Sequence, residues 1–227
     1  MIRKPANGLF VAGVDTEVGK TYVAALIARE LAAAGKRVGV YKPVASGCSP
    51  RDGELVADDA VELWRAAGEN GDLAAVCPQR FAAAVAPPAA AAAVGLQVDA
   101  ELLRTGVEYW TDRCDVIVVE GAGGLMSPMA EDDFVADVAF DLGYPLIVVA
   151  PNRLGVINQT LQTLITASVF RDGLDVAGVV LNNIDPTRDD SCRTNRGDLT
   201  RYCSPPVLGE VNYGGGVDQP IAWRELM

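Results

Sequence analysis

An α/β fold with a doubly wound, mainly parallel sheet is what the sequence predicts, in a single domain over residues 1–227, and three observations carry that reading. Short apolar runs recur along the chain without the polar alternation of a half-exposed sheet, as expected of parallel strands covered on both faces. Helical patterns separate them, so the order is βαβα with right-handed crossovers. Half of the residues are apolar and 22% are charged, a composition able to bury a sizeable core.

The first run, Gly8 to Val14 (GLFVAGV), reads as a strand, followed by a glycine-containing turn and a helical pattern from Thr21 to Ala34 that Gly35 stops. Further strands are expected at Arg37–Tyr41, Asp115–Val119, Pro145–Ala150 and Val176–Leu181, with a last segment at Val207–Val211. Helical patterns cover Asp59–Ala67, Asp99–Arg113, Asp133–Leu142 and Asn158–Asp172. The Ala/Pro-rich stretch Ala82–Val94 contains Pro87-Pro88 and predicts a loop leading into a short helix, and the polar stretch Asn183–Thr200 predicts an exposed connection.

Composition excludes several kinds of chemistry. Nineteen Lys and Arg stand against 30 Asp and Glu, a formal charge of −11, which leaves no basic surface for nucleic acid or an anionic membrane. The absence of histidine removes Ser-His-Asp and Cys-His catalysis, so a metal here must be held mainly by oxygen. Five scattered cysteines without a C-x-x-C pair suggest neither a disulfide framework nor a zinc cluster and fit a reducing cytoplasm. No targeting peptide or stretch apolar enough to span a bilayer is visible, and the expectation is a soluble cytoplasmic protein.

The chemistry concentrates in Gly13-Val-Asp-Thr-Glu-Val-Gly19-Lys20-Thr21, between an apolar strand and a helix, which reads as a phosphate-binding loop. Gly19 lets the backbone approach an anion, Lys20 adds a full positive charge, and the Thr21 hydroxyl is placed for a Mg²⁺ bridging two phosphates. Five residues rather than the usual four separate Gly13 from Gly19. No G-x-G-x-x-G follows the first strand, so NAD is not expected.

Tyr41-Lys42-Pro-Val-Ala-Ser46-Gly47 follows the second strand, at the carboxyl edge where open α/β sheets bind ligands. Lys42 is either a solvated loop charge or a second cation at the phosphate site. Asp58-Asp59 can cap the next helix, yet a magnesium–nucleotide site needs carboxylates, which makes Asp59 a candidate ligand. Val118-Val-Glu120-Gly-Ala-Gly123-Gly124 is an apolar strand ending in a carboxylate and a glycine turn, with Glu120 where NTPases usually keep an acidic metal ligand. Leu154-Gly155-Val156-Ile-Asn158 opens a helix whose amides could receive a carboxylate, although Asn158 could also be a plain cap. Asn182, ending another strand, can pair with a base edge or stabilise a turn.

Together VAGVDTEVGKT, YKPVASG, VEGAGG, LGVIN and LNN, in this order and at these separations, resemble the dethiobiotin synthetase family over nearly the entire chain. The longer glycine spacing is that family's own pattern. The resemblance implies a P-loop NTPase fold and an ATP-dependent ring closure. In it 7,8-diaminononanoate and CO₂ give a carbamate, ATP phosphorylates it, and the second amine closes the cyclic urea of dethiobiotin. It also implies that Lys20 and Thr21 hold phosphates and Mg²⁺, with Asp59 and Glu120 completing the metal site and Val18, Gly19 and Gly123 lining the nucleotide. Lys42 and Ser46 would contact the carbamate and γ-phosphate, Thr16 and Glu17 the reacting centre, and Asn182 the adenine, helped by the segment after Pro206. A homodimer is implied, in which Gly155, Val156 and Asn158 bind the substrate carboxylate of the neighbouring subunit's site.

Three positions depart from the family pattern. Phe81–Pro88 stands where relatives often carry Glu-Pro and then Pro-His, Gln159 where histidine is common, and Asn212 where proline is usual. The alternative is a P-loop switch or partitioning ATPase, which would want a basic surface or an amphipathic tail that this acidic chain does not offer.

Overall fold

The computed structural model describes residues 2–227. In chain order the elements are β1 (Gly8–Gly13), α1 (Lys20–Ala33), β2 (Val38–Tyr41), β3 (Val44–Ala45), β4 (Ser49–Arg51), β5 (Glu54–Val56), α2 (Asp58–Ala66), α3 (Leu73–Val76), β6 (Gln79–Arg80) and α4 (Pro87–Ala92). Then come α5 (Leu102–Thr105), β7 (Val116–Gly124), α6 (Val135–Leu142), β8 (Leu146–Pro151), α7 (Val156–Val169), β9 (Val176–Asn182), α8 (Asn195–Tyr202) and β10 (Val207–Val211).

Six strands form one parallel sheet in the order β10-β9-β8-β1-β7-β2. Every residue of β1, β2 and β8 is buried, which is why these strands read as apolar runs rather than alternations. Helix α1 lays Val23, Ile27 and Leu31 onto the sheet, while Val135, Val138 and Leu142 of α6 are likewise in the core. β1 lies between β7 and β8, the central position from which the chain must emerge into the middle of the carboxyl edge. Its register with β7 runs from Gly8 opposite Ile117 to Val11 opposite Glu120, then shifts so that Gly13 faces Gly124. Two satellites sit beyond the carboxyl edge of β2: the parallel pair β3–β6 and the antiparallel hairpin β4–β5. No helix among the described residues is long and apolar enough to cross a membrane.

Most expected elements stand where the pattern put them, and the exceptions have physical causes. The helix expected over Asp99–Arg113 is broken into α5 and a 3₁₀ segment at Gly106–Trp110. The hydroxyl of Tyr41 donates to the carbonyls of Leu102 (2.7 Å) and Leu103 (3.3 Å), and Gly106, a poor helix residue, lies against the Tyr41 ring. Strand β7 runs on past Val119 to Gly124, carrying Glu120 inside the sheet. Helix α7 begins at Val156 with Gly155 as its cap, so Asn158 is inside the first turn rather than capping it.

The stretch Asn183–Thr200, expected to be an exposed connection, instead holds a 3₁₀ turn at Asp190–Arg193 and most of α8, with Cys192, Asn195 and Leu199 buried. Polar pairing does this. The Asn195 amide donates to Asn152 Oδ1 (3.0 Å), to the Arg153 carbonyl (3.3 Å) and to Ser191 Oγ (3.1 Å). Asn152 in turn donates to Asn183 and Glu210, both at 3.1 Å, which ties the carboxyl ends of β8, β9 and β10 together. Asn195→Ala should lower unfolding stability by about 1–3 kcal/mol, the cost of stranding a buried polar partner, read as a lower urea midpoint at unchanged m value.

Candidate active site

The loop that leaves β1 is held from both sides. The Val14 amide donates to the Val149 carbonyl at 2.9 Å, and the Asn182 side-chain amide donates to the Val18 carbonyl at 3.0 Å. Gly19 caps α1 in the left-handed region, with φ 80°, and a Cβ there would collide with that same Asn182 amide. The helix thus begins at Lys20 with its free amides aimed at the loop's concave side. Lys20 folds back so that its Nζ donates to the Asp15 carbonyl at 2.9 Å. Burial lowers the Lys20 ammonium below its ordinary value; Glu120 opposes this and Lys42 adds to it.

Next to the loop, three elements converge on one buried charge cluster. Lys42 at the end of β2 sends its Nζ to Glu120 Oε1 (2.6 Å) on β7 and to Asp59 Oδ2 (2.8 Å) in the first turn of α2. Thr21 Oγ1 donates to the same Glu120 Oε1 at 2.9 Å. Burial alone would lower the Lys42 ammonium, but Glu120 and Asp59 hold it above its ordinary value, which favours the charged form. For Asp59, whose side chain is 51% exposed, burial favours the neutral form but Lys42 outweighs it and keeps the carboxyl below the usual range. The Lys42 amide also donates to the Val76 carbonyl (2.7 Å), fixing where the side chain starts.

This cluster suits a magnesium ion. Glu120 is 1% exposed and its second oxygen, Oε2, is buried without a hydrogen-bond partner among the described residues, a costly state that a hard cation would relieve. The donors available are all oxygens: the Thr21 hydroxyl, Asp59 and Glu120. Mg²⁺ is characteristically held by one or two carboxylates together with substrate phosphates.

Two cavities flank the loop. One, of about 500 Å³, is bounded by Gly19, Tyr22, Asn182, Ile184 and Tyr213. The other, of about 310 Å³, lies between Asp15, Gly124 and Ser127 on one wall and Gln159, Gln162 and Thr163 of α7 on the other. Thr16 packs above Gly123, whose φ of 85° and contact with Ser127 leave no room for a side chain. Glu17 is exposed at the loop's tip, also with a left-handed φ of 55°, and lines the larger cavity. Ser46 is half-buried just beyond β3, and pairing of β3 with β6 brings the Ala/Pro-rich stretch up beside it, the Gly47 amide donating to the Ala83 carbonyl at 3.0 Å.

Lys20, Thr21, Lys42, Asp59 and Glu120 are therefore brought together, with Val18 and Gly19 in the adjoining loop and Asn182, at the end of β9, bonded to it. Asn182 donates to the Val18 carbonyl and also lines the larger cavity. Gly155, Val156 and Asn158 are not part of this cluster. Val156 is buried in the core beside β8 and β9, Gly155 and Asn158 are exposed, and none of the three lines either cavity.

A family model described as an AAA domain matches residues 7–220 of the chain. An ATP-dependent dethiobiotin synthetase of Rhodopirellula baltica is 44% identical over 93% of this chain and 86% of its own length. One from Anaeromyxobacter dehalogenans is 41% identical over 86% and 85%, and one from Aromatoleum aromaticum 36% identical over 92% of each. The chain belongs to the ATP-dependent dethiobiotin synthetase family. Its fold extends further than the family: a GDP complex of the signal recognition particle receptor FtsY from Elizabethkingia anophelis superposes with a TM-score of 0.57 at 16% identity over all of this chain. The chloroplast FtsY of Physcomitrella patens gives 0.52 at 18% identity over 98% of it. The chain spans 63% and 64% of those two receptors, and the likeness concerns the fold alone.

Within this dethiobiotin synthetase-family site several residues escaped the sequence reading. Gln162, Thr163 and Thr166 line one cavity wall beside Gln159, which the sequence marked only as a departure from the family pattern, and the i, i+3, i+4, i+7 spacing of the four was a legible signal of a polar helix face. Tyr22 and Tyr213 carried no such signal, because only the tertiary fold brings them to one cavity. Gly19→Ala should weaken ADP binding at least tenfold in calorimetric titration, since left-handed strain of about 1–2 kcal/mol adds to displacement of the Asn182 clamp.

Proposed function

We propose that this chain makes dethiobiotin from 7,8-diaminononanoate and CO₂, consuming ATP and releasing ADP and phosphate. The observation that carries the reading is the packing of two lysines, two carboxylates and a threonine hydroxyl against a phosphate-binding loop, with a separate cavity on each side of that loop. One cavity suits a nucleoside and the other a short diamine chain.

One amine of the substrate takes up CO₂ as a carbamate, a carbamate oxygen attacks the γ-phosphorus with ADP leaving, and the second amine then closes on the activated carbon as phosphate departs. The amides at the start of α1 and Lys20 cradle the phosphates, for which Lys20 must exchange the Asp15 carbonyl for a phosphate oxygen. Lys42, favoured in its charged form, faces the point where carbamate and γ-phosphate, both anions, must meet. In this reading Ser46 and Thr16 orient the carbamate and Gly123 lets the β7 backbone approach it, whereas Glu17, expected at the reacting centre, lines the larger cavity on the nucleoside side. Mg²⁺, held by Thr21, Asp59 and Glu120 with phosphate oxygens, would draw negative charge off the transferring group. Positioning and charge neutralisation carry most of the catalysis and no covalent enzyme nucleophile is needed, which suits a chain without histidine.

The assembly is a homodimer in this reading. Gly155, Val156 and Asn158 lie off their own chain's cluster, at an exposed helix start beside the exposed Leu154, and would receive the substrate carboxylate of a neighbouring subunit's site. Light scattering should report about twice the 23.8 kDa chain mass at assay concentration, and a purely monomeric species contradicts the shared site.

The deciding experiment follows labelled bicarbonate into cyclic urea with the diamine and ATP present; ATP consumption without labelled product assigns the chain to the switch ATPases instead. Lys20→Ala should cut turnover by about 10²–10³ with folding intact, as loss of a transition-state charge contact does. Lys42→Ala should cost at least as much and also lower the melting temperature, because Glu120 is left as an unpaired buried charge.

A further inference from the structure

The five-residue stretch Asn212–Gly216 that follows β10 is a turn with little to stiffen it. Its ends are joined by the antiparallel bridge of Val211 with Val217, and inside it the Asn212 amide donates to the Gly216 carbonyl (3.1 Å) and the Gly215 amide to the Asn212 carbonyl (2.9 Å). Three consecutive glycines make up the rest, the residue type with most backbone freedom to lose on ordering. The turn carries Tyr213, 58% exposed, on the rim of the 500 Å³ cavity beside the phosphate loop. Among the described residues one hydrogen bond reaches it from the body of the protein: the hydroxyl of Tyr22 donates to the Gly215 carbonyl at 2.7 Å. Tyr22 directly follows Lys20 and Thr21 on α1, so the helix that presents phosphate-binding groups also holds the far wall of the cavity.

We propose that Tyr22 is a positioning residue for the nucleoside half of the nucleotide: its hydroxyl pins the Asn212–Gly216 turn so that Tyr213 stands over the cavity as an aromatic wall for the base. This rests on the nucleotide-binding reading of the site and adds a residue to it. An unpinned glycine turn would have to be ordered by the nucleotide itself, and that ordering would be subtracted from affinity. With Tyr22 in place the turn is ordered beforehand. Aromatic faces stack on bases of any kind, so the device strengthens nucleoside binding without reading a hydrogen-bond pattern. Because Tyr22 touches the turn and not the phosphates, its loss acts on binding of the nucleoside and not on the phosphoryl chemistry.

Tyr22→Phe removes only the hydroxyl and keeps the ring. We expect ADP to bind about three- to tenfold more weakly to it, the loss typical of one hydrogen bond. KM for ATP should rise by a similar factor at nearly constant kcat, and amides of residues 212–216 should exchange faster with solvent. Binding of inorganic tripolyphosphate, which has no base, should stay within twofold of wild type. Tyr213→Ala should weaken ADP binding as well, and adding Tyr22→Phe to it should cost little more, because the two act through one contact surface. Unchanged ADP affinity in Tyr22→Phe overturns the proposal, as does an equal loss for tripolyphosphate and ADP, or full multiplication of the two single effects. Wild-type protein that binds ADP but forms no cyclic urea would fail the proposed reaction and leave these binding outcomes to decide the role of Tyr22 by themselves.

Discussion

A lysine buried as deeply as Lys42 stays charged only if anions stand beside it, and here Glu120 at 2.6 Å and Asp59 at 2.8 Å do so. The cost of taking these charges out of water is offset by their mutual attraction and by the Thr21 hydroxyl, which shares the same Glu120 oxygen. Four elements of the fold are therefore referenced to one carboxylate: β2 through Lys42, α2 through Asp59, α1 through Thr21 and β7 through Glu120 itself. The cluster is incomplete in a specific way, because Glu120 Oε2 has no donor among the described residues. A site prepared for a cation and phosphates and a site merely stabilising the fold differ at that atom.

Sheet topology decides what can surround the cluster. With β1 between β7 and β8, the loop leaving β1 emerges at the middle of the carboxyl edge, where β7 delivers Glu120 and the glycine turn, and β8 delivers the start of α7. The register shift that sets Gly13 against Gly124 lets two backbone turns approach without side chains between them. What remains on the two sides of the loop is space: a cavity toward β9 and the turn after β10, and another toward α7. In the proposed reaction, the separation of these spaces by the phosphate loop would hold one anion between two chemically different partners.

The chain is acidic overall, yet two ammonium groups lie at the centre of the site, Lys20 folded onto the loop and Lys42 paired with Glu120 and Asp59. At physiological ionic strength surface charges are screened beyond roughly 8 Å, so the distant carboxylates matter less to a bound phosphate than the lysines at contact distance. Net charge thus governs which large polyanions are excluded, while local charge governs which small ones are held.

Much of this was legible in the sequence. The buried parallel strands announced themselves as unalternating apolar runs, and Gly19-Lys20-Thr21 announced a phosphate loop, because both patterns depend only on residues next to one another in the chain. The expected helix over Asp99–Arg113 failed because Tyr41, far away in sequence, takes the carbonyls a helix needs. The stretch Asn183–Thr200 looked exposed because asparagines are counted as polar, whereas Asn195 is buried by bonds to Asn152 and Ser191. For the site, the residue types of Lys42, Asp59 and Glu120 were readable, but whether Lys42 was solvated or paired was not. Sequence by itself determined the local chemistry and the periodicity. Only the tertiary structure decided that Lys42, Glu120, Asp59 and Thr21 share one charge cluster, that Tyr22 meets Gly215, and that Gly155 to Asn158 stand apart, because distance in space between segments remote in the chain is set by packing and sheet order rather than by any local propensity.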